Sequence, residues 1–208
     1  PATLLAQANY GLRGTKVLIG GQDCHANATG AHTGDISATM LADAGATYVI
    51  VGHSERRTDH LETSEIVAAK AKAAIAAGLM PIICVGESEA LRVAGRAIDV
   101  VLDQVSGSIP SDAYARQFCI AYEPVWAIGA GRTPSTDDVL AMHAAIRATL
   151  IATYGDSEGA SIAILYGGSV NAKNAAELLA IANVNGALVG GASLTAAGFM
   201  GIISTQLQ

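Results

Sequence analysis

Hydrophobic positions along the chain fall into two alternating kinds of segment. Short, nearly continuous apolar runs occur at Lys16–Gly20, Tyr48–Val51, Met80–Val85, Phe118–Tyr122, Ser161–Leu165 and Ala187–Val189. A strand with one face in water alternates apolar and polar residues, and these do not. Each run therefore predicts a strand covered on both faces, the mark of a parallel sheet. Between them lie longer stretches of helical spacing: Leu4–Leu12, Ile36–Ala44, Ser64–Ala77, Glu87–Val105, Asn174–Ala182 and Ala196–Leu207. Another helix follows Ser135, with Val139, Met142, Ile146 and Leu150 on one face. Gly45 and Gly78 stand where two of these should stop, Gly95 where one should break, and Ser135 with Asp138 reads as an N-terminal cap.

Strand starts recur every 26 to 43 residues, the size of a βα unit. The polar and glycine clusters all follow the C-terminal ends of predicted strands: Gly21–Gly34, Gly52–Arg57, Glu123–Pro134, Tyr166–Val170 and Gly190–Leu194. In a closed (β/α)8 barrel that end carries the chemistry. An open doubly wound sheet fits the same periodicity, although no GxGxxG follows the first predicted strand.

Composition narrows this picture. With 208 residues, 51% hydrophobic and 14% charged, the chain predicts one globular domain, residues 1–208, with a core of small aliphatic side chains. A net charge of −6 argues against nucleic acid or an anionic membrane as partner. No apolar stretch reaches the roughly 18 residues of a membrane span. Cys24, Cys84 and Cys119 form no CxxC pair, which predicts reduced thiols and a cytoplasmic location.

The candidate chemistry lies at strand ends. Glu123 ends one apolar run. Pro124, Trp126, Gly129 and Gly131 follow it, a stiff stem and a bendable tip suited to covering a small substrate. A carboxylate sequestered there is a candidate general base. His53 directly follows another strand and can donate a hydrogen bond to a carbonyl, its neutral form favoured if a helix N-terminus faces the ring. Gly167-Gly168-Ser169 and Gly190-Gly191 form two glycine-rich turns of the kind that let backbone N–H groups approach an anion. Gly52-His53-Ser54 lacks the second glycine of a hydrolase elbow. Cys24, His25 and His32 have no standard metal-ligand spacing, so no metal is expected.

The segments GHSERR, CVGE, AYEPVWAIGAGRTP, YGGSV and GALVGGASL, in this order and spacing, resemble the triosephosphate isomerase family across essentially the whole chain. The resemblance implies a (β/α)8 TIM barrel, with six of its eight βα units in this chain. It implies interconversion of dihydroxyacetone phosphate and glyceraldehyde 3-phosphate, without cofactor or metal. Glu123 would move the proton, and His53 would polarise the carbonyl. Glu55 and Cys84 match family positions that support the site. Pro124–Thr133 would be a lid, with Gly129, Ser169, Gly190 and Gly191 holding the phosphate. The loop Cys24–Gly34 would enter a second subunit of a homodimer, where Thr33 reaches the active site. Ala130 and Arg132 replace the family's usual Thr and Lys, and Leu61 stands where glycine is usual. The family's Asn-x-Lys strand, whose lysine contacts substrate, has no counterpart, because Lys16 precedes its strand instead of lying within one. A chain truly lacking that strand is expected to be catalytically impaired, acting only in assembly or phosphate binding.

Overall fold

The structure is a computed structural model describing residues 1–128 and 133–206. Its residues form two compact units, residues 1–84 with 106–119, and residues 85–105 with 120–208.

The first unit opens on a 3-10 turn at Ala2–Leu4 and helix α1 (Leu5–Gly11). Strand β1 (Gly20–Gly21), α2 (Ala38–Asp43), β2 (Tyr48–Val51), α3 (Ser54–Asp59), α4 (Ser64–Ala76) and β3 (Met80–Val85) follow. β2 runs parallel to both β1 and β3, with Tyr48 opposite Gly20 and Met80. Sequence explains the helix limits. Ser37 and Thr63 cap α2 and α4 through their hydroxyls, while Gly45 and Gly78 follow the helix ends with φ of +91° and +78°. Val49, Val51, Val67, Ala71, Ala74 and Ile83 are fully buried between these strands and helices.

In the second unit the expected break at Gly95 (φ +71°) separates α5 (Glu89–Val93) from α6 (Ala97–Ser108), whose residues from Ser106 onward belong to the first unit. Then come β4 (Cys119–Tyr122), α7 (Thr136–Tyr154), α8 (Asp156–Ser161), β5 (Ile164–Tyr166), α9 (Ala175–Leu179), β6 (Gly186–Ala187) and α10 (Ala196–Ile203). β5 runs parallel to β4 and β6, with Tyr166 opposite Tyr122 and Ala187. Ser135 and Asp138 close a reciprocal capping box at the start of α7.

Three elements depart from the sequence expectation. The strand expected at Lys16–Gly20 begins only at Gly20, and Val17 and Leu18 are exposed. Apolar character there reflects an uncovered surface, and only the Ile19 carbonyl joins the pairing, accepting from Thr47 and Tyr48. Ser161 ends α8 instead of starting a strand. Gly155 (φ +81°) stops α7, and α8 folds back so closely that a side chain at Gly159 would strike the Leu150–Ile151 backbone. α3, over Ser54–Asp59, has no apolar periodicity to announce it. Among the described residues no helix is long and apolar enough to cross a membrane.

Candidate active site

In the first unit, β2 delivers His53 to its C-terminal end, through Gly52 at φ +67°. His53 is the N-cap of α3: its Nδ1 accepts the Glu55 N–H at 3.3 Å. A ring nitrogen that accepts carries no proton, so this contact is the one a neutral ring makes when its hydrogen is on Nε2. The helix N-terminus beside this ring is the one that His53 itself caps. Glu55 stands 3.7 Å from Nδ1, but its side chain is 80% exposed.

Arg57, on the same short helix, fixes the strand ends. It donates to the Gly52 carbonyl at 2.9 Å, the Cys84 carbonyl at 3.0 Å and the Ser108 hydroxyl at 3.0 Å. Cys84 is fully buried near the end of β3, so one guanidinium sets the spacing of the strands carrying His53 and Cys84. Arg56, its neighbour, pairs instead with Glu62 at 2.7 Å and Asp23 at 3.0 Å.

The loop bearing Thr33 is organised by its own polar groups. The His25 N–H donates to the Ile36 carbonyl at 2.8 Å and pinches the loop base. The His25 and His32 rings stack with centroids 3.9 Å apart, and Thr33 is exposed. Asp35 joins these histidines, so His25, His32 and Asp35 form a possible three-ligand cluster. The rings do not suit an ion, however. A bound metal lies in the plane of each imidazole, and two stacked rings tilted by only 33° do not aim lone pairs at one near point. The His25 Nδ1 is already occupied by the Asn27 N–H at 2.9 Å.

In the second unit, Glu123 follows β4 and is 1% exposed. Its N–H donates to the Val85 carbonyl at 2.8 Å, and the next strand over fixes its other side, with Gly167 N–H donating to the Tyr122 carbonyl at 2.7 Å. Glycines make the room. A Cβ on Gly167 would stand 2.8 Å from Glu123 Cγ, and one on Gly86 would overlap the Glu123 carbonyl oxygen. Gln104 of α6 holds Gly86 in place, accepting its N–H at 2.8 Å and donating to its carbonyl at 3.0 Å. Gly168 is small for a different reason, because a side chain there would collide with the Tyr166 hydroxyl. The first glycine pair is therefore explained by packing around the acid and a tyrosine.

Ser169 donates to the Ala127 carbonyl at 3.4 Å, which joins the turn after β5 to the segment after Glu123. Gly190 and Gly191 follow β6 and open a 3-10 turn, Gly191–Ser193, with clear space where a Cβ would be. Gly129 and the remainder of the expected lid tip lie outside the described residues.

A residue that motif reading passed over is Glu87, fully buried two residues beyond β3. One of its oxygens accepts from Trp126 Nε1 at 2.8 Å and Tyr122 Oη at 3.2 Å. Burial first, and then the Glu87 carboxylate, push the Tyr122 phenol far above its ordinary value, so it acts only as a donor. The available signal was an acid directly after an apolar run, with its partners distant in sequence.

In each unit the alternating strands and helices place a candidate chemical group just past a strand's C-terminal end, His53 in the first and Glu123 in the second, which is the architecture of a βα-scaffold enzyme. The family model described as triosephosphate isomerase matches residues 1–206. A curated triosephosphate isomerase of Afipia carboxidovorans is 60% identical over 202 residues, covering 97% of this chain and 80% of that one. One from Brucella abortus is 58% identical over 205 residues, covering 99% and 80%. The solved triosephosphate isomerase of Bartonella henselae superposes with a TM-score of 0.94 at 49% identity, covering 100% of this chain and 85% of that one. The chain belongs to the triosephosphate isomerase family, with that family's α/β TIM-barrel fold.

Proposed function

We propose that this chain interconverts dihydroxyacetone phosphate and D-glyceraldehyde 3-phosphate through an enediolate, with Glu123 as the base and His53 as the electrophile. The Glu123 carboxylate takes the proton from the carbon beside the carbonyl. His53 Nε2–H donates to the carbonyl oxygen as charge builds on it and passes protons between the two oxygens. Protonated Glu123 returns its proton to the neighbouring carbon, so the product is an isomer and nothing else is consumed. Glu55 orients His53 through its backbone N–H, and Cys84 packs beneath the strand end.

Ser169, Gly190, Gly191 and Gly129 hold the phosphate. Segment Pro124–Thr133 closes over the substrate, because an enediolate open to water would expel its phosphate. The chain acts as a single barrel domain in a cytoplasmic homodimer, with Thr33 carried into the partner's site. The observation that most supports this reading is the setting of Glu123, an acid taken out of water, with Gly86 close against its backbone and Gly167 close against its side chain.

Steady-state assay of the isomerisation in both directions tests it. Glu123→Gln preserves the side-chain volume, so the glycine walls still fit. It should lower kcat by about 10²–10⁴-fold with an unchanged unfolding midpoint, and His53→Gln should also lower kcat. Full turnover in Glu123→Gln would remove the base from this reading.

A further inference from the structure

Trp126 is the single tryptophan of the chain, and it lies three residues past Glu123. Its indole is held on two sides. The Nε1–H donates to Glu87, and the Arg92 guanidinium lies over the ring, its Cζ 4.7 Å from the ring centroid. The same guanidinium reaches Glu87 Oε1 at 3.4 Å and Asp138 Oδ1 at 2.5 Å. Asp138 is the acid of the capping box that starts α7, where its other oxygen accepts from the Ser135 hydroxyl at 2.7 Å.

Arg92 therefore touches both described ends of the segment that leaves Glu123 and enters α7. Its planar head can stack on an indole and still spend its edge on carboxylates, which an ammonium cannot do. Arg92 itself sits on a five-residue helix, α5, stopped by Gly95 at φ +71°. That helix has no buried side chain, and these contacts are among those that anchor it.

We propose that Arg92 is a positioning residue for the isomerisation: by clasping Trp126 and Asp138 together over Glu87, it fixes the course of the backbone leaving the base. It touches no reacting atom. Its effect falls on how often Glu123 is aimed correctly, not on how tightly substrate is held. The activity arm rests on the function proposed above, whereas the optical arm does not.

The experiment compares the full chain with Arg92→Met and Arg92→Lys. Methionine keeps length and apolar volume but loses charge and plane. Lysine keeps charge, and with it the fold, but loses the stacked plane. The lone tryptophan reports directly on the clasp. In Arg92→Met the Trp126 emission should shift to the red and acrylamide quenching should rise about threefold, as expected when a cation–π cover is lifted from a part-buried indole. In the same variant kcat should fall about tenfold with KM within about twofold, the split expected of lost orientation. Arg92→Lys should lie between, in both readouts. Unchanged emission and quenching in folded Arg92→Met or Arg92→Lys would overturn the proposal. So would an activity loss that only follows the folded fraction, or one carried by KM alone. A wild-type chain without isomerase activity would fail the function, but the emission and quenching would still decide the clasp.

Discussion

Each unit buries a cation, and the two solve that problem differently. In the first unit Lys70, on α4, is 6% exposed and meets two carboxylates, Asp23 at 2.8 Å and Glu62 at 2.6 Å. Arg56 closes the square by pairing with both acids. In the second unit Arg147, on α7, is 8% exposed. Among the described residues its hydrogen bonds go to neutral oxygens: Gly159 at 2.5 Å, Asn185 at 2.9 Å and Asn183 at 3.3 Å. The first arrangement cancels charge and is brittle, because each member depends on its opposite. The second leaves a net positive charge in place and lets it act on its neighbours. Burial holds the Arg147 guanidinium below its ordinary value, the direction expected of a cation without a counter-charge.

The largest effect should come from breaking the square. Lys70→Met leaves the buried Glu62 and the half-buried Asp23 to share Arg56, and should cost about 3 kcal/mol of unfolding free energy. Urea titration followed by circular dichroism measures it. The same substitution logic at Arg147 would leave only amides and a carbonyl behind, which water can satisfy at less cost.

Acid should separate the two regions next. Burial raises Asp23 above its ordinary value, despite Lys70 and Arg56. Burial also acts to raise Glu62, but hydrogen bonds from Lys70 and Arg56 outweigh it and hold Glu62 below. The two acids of the square therefore respond in opposite senses, and their acid responses partly cancel. No such cancellation protects His143, one turn before Arg147. Its Nδ1 pairs with the Asn183 carbonyl at 3.1 Å, and Tyr122 meets its ring edge-on at 5.8 Å. Burial lowers it from 6.5 to about 4, the Asn183 hydrogen bond opposes that, and the Arg147 charge adds to it. A depressed folded value means that the unfolded chain binds the proton first. The stability conferred by neutral His143 is thus complete above pH 6.5 and lost as pH falls toward about 4. The loss should reach about 3 kcal/mol, read from unfolding midpoints across that window. Replacing His143 with Asn should flatten the profile there.

The smallest effect supplies the missing counter-charge. Asn185→Asp keeps the oxygen that accepts from Arg147 and from the Ile164 N–H at 2.9 Å, at an exposed position where a carboxylate stays hydrated. It should raise stability by about 1 kcal/mol, and thermal unfolding would show it. No gain there would mean that the neutral cage already satisfies the guanidinium.

What the sequence made legible was whatever depends on near neighbours. Apolar runs located β2, β3 and β4, and glycines located the ends of α2 and α4. The Ser135–Asp138 box located α7, and the residues at strand ends marked His53 and Glu123 as a pair of chemical groups. What escaped depends on distant contacts. Nothing near Glu87 in the chain reveals that Tyr122 and Trp126 converge on it. Arg56 and Arg57 are adjacent and chemically alike, yet one pairs with acids and the other binds the carbonyls of strand ends. α3 and α8 escaped because short polar helices are set by their caps and by close packing, and carry no stripe to read.

The walls beside Glu123 have a consequence for how this scaffold can change. The placement of that residue is governed by substituents that are not there, its backbone at Gly86 and its side chain at Gly167. An inventory of reactive groups would pass over both positions, yet a methyl at either would strike Glu123 and displace it, at its backbone from Gly86 and at its side chain from Gly167. The room to vary this reaction is accordingly narrowest at two sites with no chemistry of their own.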